Sequence, residues 1–271
     1  MRKLFIIAAA ALMAVACNKA ETNETAETRQ ITFRTSGFTQ TRDSQPMTDI
    51  WLFDYRNGEL LQSVHQSSSD PDFGSPTLTM ACGSHTIYCA ASRGTEPTLE
   101  AESHSISFSK PDDTFWNTME INVTPETAQS QTITLNRVVA KLTLVIEDEV
   151  MTGTTAFNVT PHTWHCGLDY LTGQPYGTSV DKQFMFDCLP SMIGISYKQL
   201  SIFGFSQQDV WNTDVTLQAM GTEGPIAEAY IPDVPLAANR ATTYTGKLYV
   251  LDVNGFVILN DEWGDPFNGG W

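Results

Sequence analysis

"TDIWLFDYRNGELLQSVHQ", residues 48–66, decides the fold class. Two apolar runs flank Asn57-Gly58. That dipeptide suits a two-residue type I′ turn, in which both central residues need positive φ. The stretch reads as a β-hairpin. The same form returns in "TLTMACGSHTIYCAAS", 77–92, with Gly83-Ser84 at the turn.

Working outward, "QITFRTSGF", 30–38, alternates Ile31 and Phe33 with polar residues, and "HSISFS", 104–109, alternates likewise. This is the period of a half-buried strand. "QTITLNRVVAKLTLVIED", 131–148, is one long strand or a strand with a bulge, with Leu142, Leu144 and Ile146 on one face. Past residue 150, seven more candidate strands run from "TTAFNVTP" to "GFVILNDEW" at spacings that suit a sandwich. Between them "HTWHCGLDYLTGQPYG", 162–177, reads as a Gly- and Pro-containing loop. The best short helix candidate is "DDTFWNTME", 112–120. The chain is expected to be all-β, divided near residue 150 into two β-sandwiches, 31–150 and 151–271.

The N-terminus carries a different signal. Arg2 and Lys3 precede "LFIIAAAALMAVA", 4–16, an uncharged apolar run with small residues at its end. That is the pattern of an export signal, 1–16. The run falls short of the ~20 residues a membrane-spanning helix needs. Cys17 stands directly after it, which resembles a bacterial lipoprotein signal, although Ala14 replaces the usual leucine three residues upstream. Acylation at Cys17 would supply the two or more chains that stable anchoring requires. Residues 17–30 hold no large apolar side chain and read as a lipidated flexible tether.

Without the leader, 255 of the 271 residues remain, with 13 of the 15 Lys+Arg and all 31 Asp+Glu, a net charge of -18. Phosphate-backbone binding relies on clustered cations, so nucleic acid is not an expected partner. Four cysteines remain besides Cys17. Cys166 and Cys188 could pair, or Cys82, Cys89, Cys166 and Cys188 could all be free thiols.

The search for chemistry yields little. No Gly-rich phosphate loop or G-x-S-x-G elbow is present. Ser107 and Lys110 satisfy S-x-x-K, but on an alternating strand residues three apart face opposite ways. His162, His165, Cys166 and Asp169 are the densest set of metal-ligand types, without a standard zinc spacing. No catalytic residue, metal or cofactor is therefore expected. Among the six tryptophans, Trp51 lies in an apolar run and reads as core, whereas Trp164 and Trp271 lie in polar surroundings and are candidate ligand-contact aromatics.

Three stretches carry a family resemblance. "LNRVVAKLTL", 135–144, resembles the Arg-x-x-Ala-Lys strand of the fimbrillins of Bacteroidota. "VPLAANRATTYTGKLYVLDVNGFVILNDEW", 234–263, resembles their closing segment, and "MTDIWLFDYRNGEL" is similar to their early hairpin. The resemblance implies two tandem transthyretin-like sandwiches in a type V pilus lipoprotein of the cell outer membrane, whose neighbours exchange β-strands. It also implies that shaft subunits lose an N-terminal strand to a trypsin-like protease. Arg29, Arg34 and Arg42 are the candidate cleavage residues, and Arg42 in "FTQTRDSQP" is best placed. An anchor keeps its lipid and needs no cut, and the short chain favours an anchor or accessory subunit. Expected partners are other pilus subunits, outer-membrane lipid through Cys17, and a host or bacterial surface ligand. The competing expectation is a monomeric outer-membrane lipoprotein that holds glycan on Trp164 or Trp271.

Overall fold

The computed structural model describes residues 27–36 and 46–249. The chain first lays down β1 (Thr28–Ser36), β2 (Asp49–Arg56), β3 (Glu59–Ser67), β4 (Thr77–Ala81) and β5 (Gly83–Ser92). Two short strands follow, β6 (Thr98–Glu100) and β7 (Ser105–Ser107), then β8 (Thr114–Val123). Residues 130–146 form β9 (Ser130–Thr134), β10 (Asn136–Arg137) and β11 (Val139–Ile146) almost without interruption. The remainder gives β12 (Ala156–Pro161), β13 (Thr163–Asp169), β14 (Gln174–Val180), β15 (Phe184–Asp187), β16 (Lys198–Phe205), β17 (Trp211–Gly221), β18 (Gly224–Leu236) and β19 (Ala241–Gly246). One 3₁₀ turn, Pro190–Met192, lies between β15 and β16. No helix among the described residues is long and apolar enough to cross a membrane.

The all-β expectation holds, and the strands assemble into five sheets. The first has the order β4-β1-β9 and the second β10-β8-β5-β2-β3. The third is β14-β13-β7-β6, the fourth β16-β11-β19 and the fifth β15-β12-β17-β18. Three apolar cores join them. Ile31, Phe33, Leu78 and Met80 pack onto Ile50, Leu52, Ile87 and Phe115, which joins the first sheet to the second. Leu142, Leu144 and Ile202 meet Phe157, Val215, Leu217 and Ile231 between the fourth and fifth. The third core lies between the second sheet's other face and the third sheet, with Trp51, Phe53 and Tyr55 against Ile106, Leu168 and Tyr170.

The second sheet is therefore covered on both faces, and β2 is buried from Ile50 to Tyr55. Strands covered on both sides lose the simple apolar–polar alternation. This explains one correction. "DDTFWNTME" is not helical but mostly strand, because Phe115 serves the first core while Trp116 packs at the third. Adjacent apolar residues there mark two covered faces and not a helical stripe.

The segment 162–177 is also corrected. It is the β13–β14 hairpin, not a loop. Gly167 lies inside β13 because a Cβ there would sit 3.0 Å from the Tyr176 carbonyl and 3.2 Å from that of Ile106. Gly173, at φ +71, makes the turn. Both glycines serve tight strand pairing, not irregular structure. The run 131–148 proves to be neither one strand nor a bulged one. It visits three sheets in turn, with Leu135 and Val138 at the crossings. β11, although it precedes residue 150, pairs with β16 and β19. β1 begins at Thr28, inside the stretch read as tether.

Candidate functional site

The first sheet gives β1 an unusual position. Its N-terminal half pairs antiparallel with β4, from Thr28↔Ala81 to Thr32↔Thr77. Its C-terminal half pairs parallel with β9, from Thr32↔Ser130 to Ser36↔Thr134. The alternation read from the sequence places Ile31 and Phe33 inward, and both have 0% exposure. On the outer side the Thr32 and Thr77 hydroxyls bond at 2.8 Å. The Arg29 Nε donates to the Thr127 carbonyl at 2.7 Å. Arg29 and Arg34 thus belong to a paired central strand, a poor substrate for a protease that needs an extended, accessible loop. Arg42 lies outside the described residues, as do Cys17 and Trp271.

The Arg-x-x-Ala-Lys stretch forms the junction between the sheets. Arg137, on β10, donates to both oxygens of Asp113, Nε at 2.6 Å and Nη2 at 3.0 Å. Its Nη1 reaches Asn239 Oδ1 at 3.2 Å, just before β19. The guanidinium also lies 4.8 Å from the Phe115 ring centroid. Arg93 approaches the same carboxylate at 3.6 Å. Ala140 is buried in the core between the fourth and fifth sheets, and the Lys141 Nζ lies 5.8 Å from the Phe203 ring centroid. Each position of the stretch therefore has its own task. A planar, bidentate donor is what a buried carboxylate demands. In the sequence Asp113 reads only as one of several acidic loop residues that could hold calcium weakly, and Asn239 only as part of the closing segment, neither as a partner of Arg137. Asn239 has φ 58, in the left-handed region, and follows two alanines. Only an Asn in a turn hinted at it.

A second buried pair lies inside the N-terminal core. His85 Nδ1 meets Asp54 Oδ1 at 2.7 Å, with both side chains at 0% exposure. His85 Nε2 faces the Ala81 carbonyl at 2.8 Å. Gln62 donates to the other Asp54 oxygen at 2.9 Å. A carbonyl can only accept, so Nε2 donates to it. This network joins β2, β3 and β5 at the hairpin end.

The structure disperses the candidates for chemistry. His162 Nδ1 pairs with Asp181 at 2.7 Å and its Nε2 faces the Thr216 hydroxyl at 3.0 Å. The His165 ring lies edge-on to Trp211, with centroids 5.5 Å apart. Cys166 is buried, and Asp169 accepts the Leu171 and Thr172 N–H groups in the hairpin turn. Lys110 places its ammonium 4.8 Å from the Phe186 ring centroid, while Ser107 pairs with Gly167 in the third sheet. Tyr230 donates to Asp214, which also accepts the Asp233 N–H, and both bonds hold that carboxyl below its ordinary range.

Trp164 is a further correction. It is not a surface aromatic, because its exposure is 0%. Its Nε1 donates to the Phe203 carbonyl at 3.0 Å, and its ring lies so close over Gly204 that a Cβ there would sit 2.5 Å from it. The polar neighbours in sequence point the other way along β13. Trp51 is core as expected, at 3% exposure. The described cysteines Cys82, Cys89, Cys166 and Cys188 are all free thiols.

Residues 93–263 match the family described as "Mfa2: Fimbrillin-A associated anchor proteins Mfa1 and Mfa2". No curated protein matches the chain. Among solved structures, a candidate adhesin from Bacteroides ovatus superposes with TM-score 0.54 at 11% identity, over 81% of this chain and 88% of that one. A candidate polysaccharide-binding protein from Bacteroides thetaiotaomicron gives TM-score 0.52 at 9% identity, over 84% and 95%. The fimbrial anchor protein Mfa2 from Porphyromonas gingivalis gives TM-score 0.45 at 8% identity, over 74% and 82%.

Proposed function

Since the chain belongs to the family of fimbrillin-A associated anchor proteins, we propose that it is a non-enzymatic anchor or accessory subunit of a cell-surface fimbria. It is exported, lipidated on Cys17 and held in the outer membrane. It joins neighbouring fimbrial subunits by strand addition at its sheet edges, where backbone donors and acceptors are available to another chain.

What supports the anchor role is the family itself, described as fimbrillin-A associated anchor proteins. β1 is the strand that a cut at Arg42 would release. Ile31 and Phe33 fill the core between β4 and β9. With that strand in place the first sheet needs no strand from a neighbour. A shaft subunit has the opposite requirement, an emptied slot after cleavage.

Intact-mass analysis of the protein from its native membrane tests this. The expected species begins at Cys17 with acyl chains attached. A chain that begins at Asp43, after Arg42, would overturn the anchor role and make the protein a processed shaft subunit.

A further inference from the structure

We propose that the fold is a tension-bearing link, in which a pull between the chain's two ends is carried through parallel strand pairs loaded along their length. Strand direction and connectivity carry this. In a parallel pair, a pull on the leading end of one strand and the trailing end of the other slides them past each other. All the cross-strand hydrogen bonds are then strained together. When two strands are pulled from the same end, their bonds open one at a time, each of them individually weak.

The entering strand, β1, is parallel to β9. The last described strand, β19, is parallel to β11, from Lys141↔Ala241 to Ile146↔Gly246. β9 and β11 belong to the single run 130–146, separated only by β10 and one residue on either side. A pull at Glu27 therefore passes from β1 to β9 by sliding. It then travels through covalent bonds along a run of roughly 55 Å contour. Finally it passes from β11 to β19, again by sliding, and leaves at Tyr249. The antiparallel β1–β4 pair, Thr28↔Ala81 to Thr32↔Thr77, is loaded from one end and opens first; the load then rests on the two parallel pairs, which are sheared.

Bonds lie where the load enters and leaves. At the first end the Cys82 N–H donates to the Glu27 carbonyl at 2.8 Å, and Arg29 to Thr127 at 2.7 Å. At the other end the Asp148 carboxylate accepts the Leu248 and Tyr249 N–H groups at 3.1 and 2.7 Å. The Glu147 N–H reaches the Gly246 carbonyl at 2.8 Å. Midway, Arg137 ties the run to Asp113 and Asn239. The inference concerns the chain between Glu27 and Tyr249, and it stands whether or not Cys17 carries lipid.

Optical-tweezers unfolding of the full chain tests it. One geometry holds the two termini. The other holds Ser36→Cys and Asn136→Cys, with Cys17 and Cys82 replaced by serine, and so peels the same β1–β9 pair from one end. The expected end-to-end rupture force is about twofold or more above the peeling force at equal loading rate, since forced unfolding follows the unfolding rate along the pulled path. Asp148→Ala should lower the end-to-end force and leave the peeling force unchanged. Equal forces in the two geometries, or a fall in both on Asp148→Ala, would overturn the proposal.

Discussion

At the scale of single residues, burial sets the chemistry. Burial pushes the Cys89 thiol from 9.0 up to about 12. The unfolded chain therefore loses this proton first, so the native state is favoured in full below pH 9 and loses that advantage as pH rises toward 12. The urea midpoint should fall over this window, and less steeply in Cys89→Ala. Burial, and a bond with Tyr55, also push the Tyr170 phenol up, so the comparison is between slopes. The Asp54–His85 pair makes a second prediction. His85→Leu leaves a carboxylate at 0% exposure without its imidazole. The expected loss is about 3–5 kcal/mol in equilibrium urea unfolding. What the sequence revealed at this scale was parity: Ile31, Phe33, Leu142, Leu144 and Ile146 all face inward as their alternation implied. It did not reveal partners. Arg137 meets Asp113 and Asn239 across 24 and 102 residues, and no local pattern encodes so distant a contact. Trp164 was misread because polar sequence neighbours on a strand say nothing about the face the indole occupies.

At the scale of elements, the Asn57-Gly58 hairpin was legible and sheet membership was not: 77–92 is no hairpin about Gly83-Ser84, because β4 pairs with β1 in the first sheet while β5 pairs with β2 and β8 in the second. Asn57, at φ 52, and Gly58, at φ +82, make the turn that the dipeptide implied. β8 and the β13–β14 hairpin were misread, the first because both faces of its sheet are covered, the second because its glycines serve close packing. That second cause is testable. Gly173 has φ +71, and a Cβ there would lie 2.5 Å from the Trp116 ring. Gly173→Ala should therefore cost about 1–3 kcal/mol. Loss of the Trp116 indole bond to the Tyr170 carbonyl, now 2.8 Å, should accompany it as a shift in the indole N–H resonance.

At the scale of the whole molecule, the second sheet belongs to two cores at once, and Val138, Val139 and Phe205 extend the third core toward the C-terminal strands. Separate melting of N- and C-terminal parts would expose that shared surface. Calorimetry, circular dichroism and tryptophan fluorescence should accordingly report one coincident transition. A fragment comprising residues 27–138 should be insoluble, since Phe53 and Tyr55 would lose Tyr170 and the third core would lose Leu168 and Phe205. The sequence indicated an all-β chain but gave no sign of how its sheets share cores, because the residues of each core lie far apart in the chain.

The position of β1 has a temporal consequence. Its Arg29 and Ser36 are each bonded to residues 98 positions later. The first of the described strands to be synthesised thus completes its pairing late, since a closure of that length must wait for its far end. Until Thr134 emerges, β1 can pair only with β4, and its β9 side stays open. That opening closes only when the chain's own beginning and middle meet.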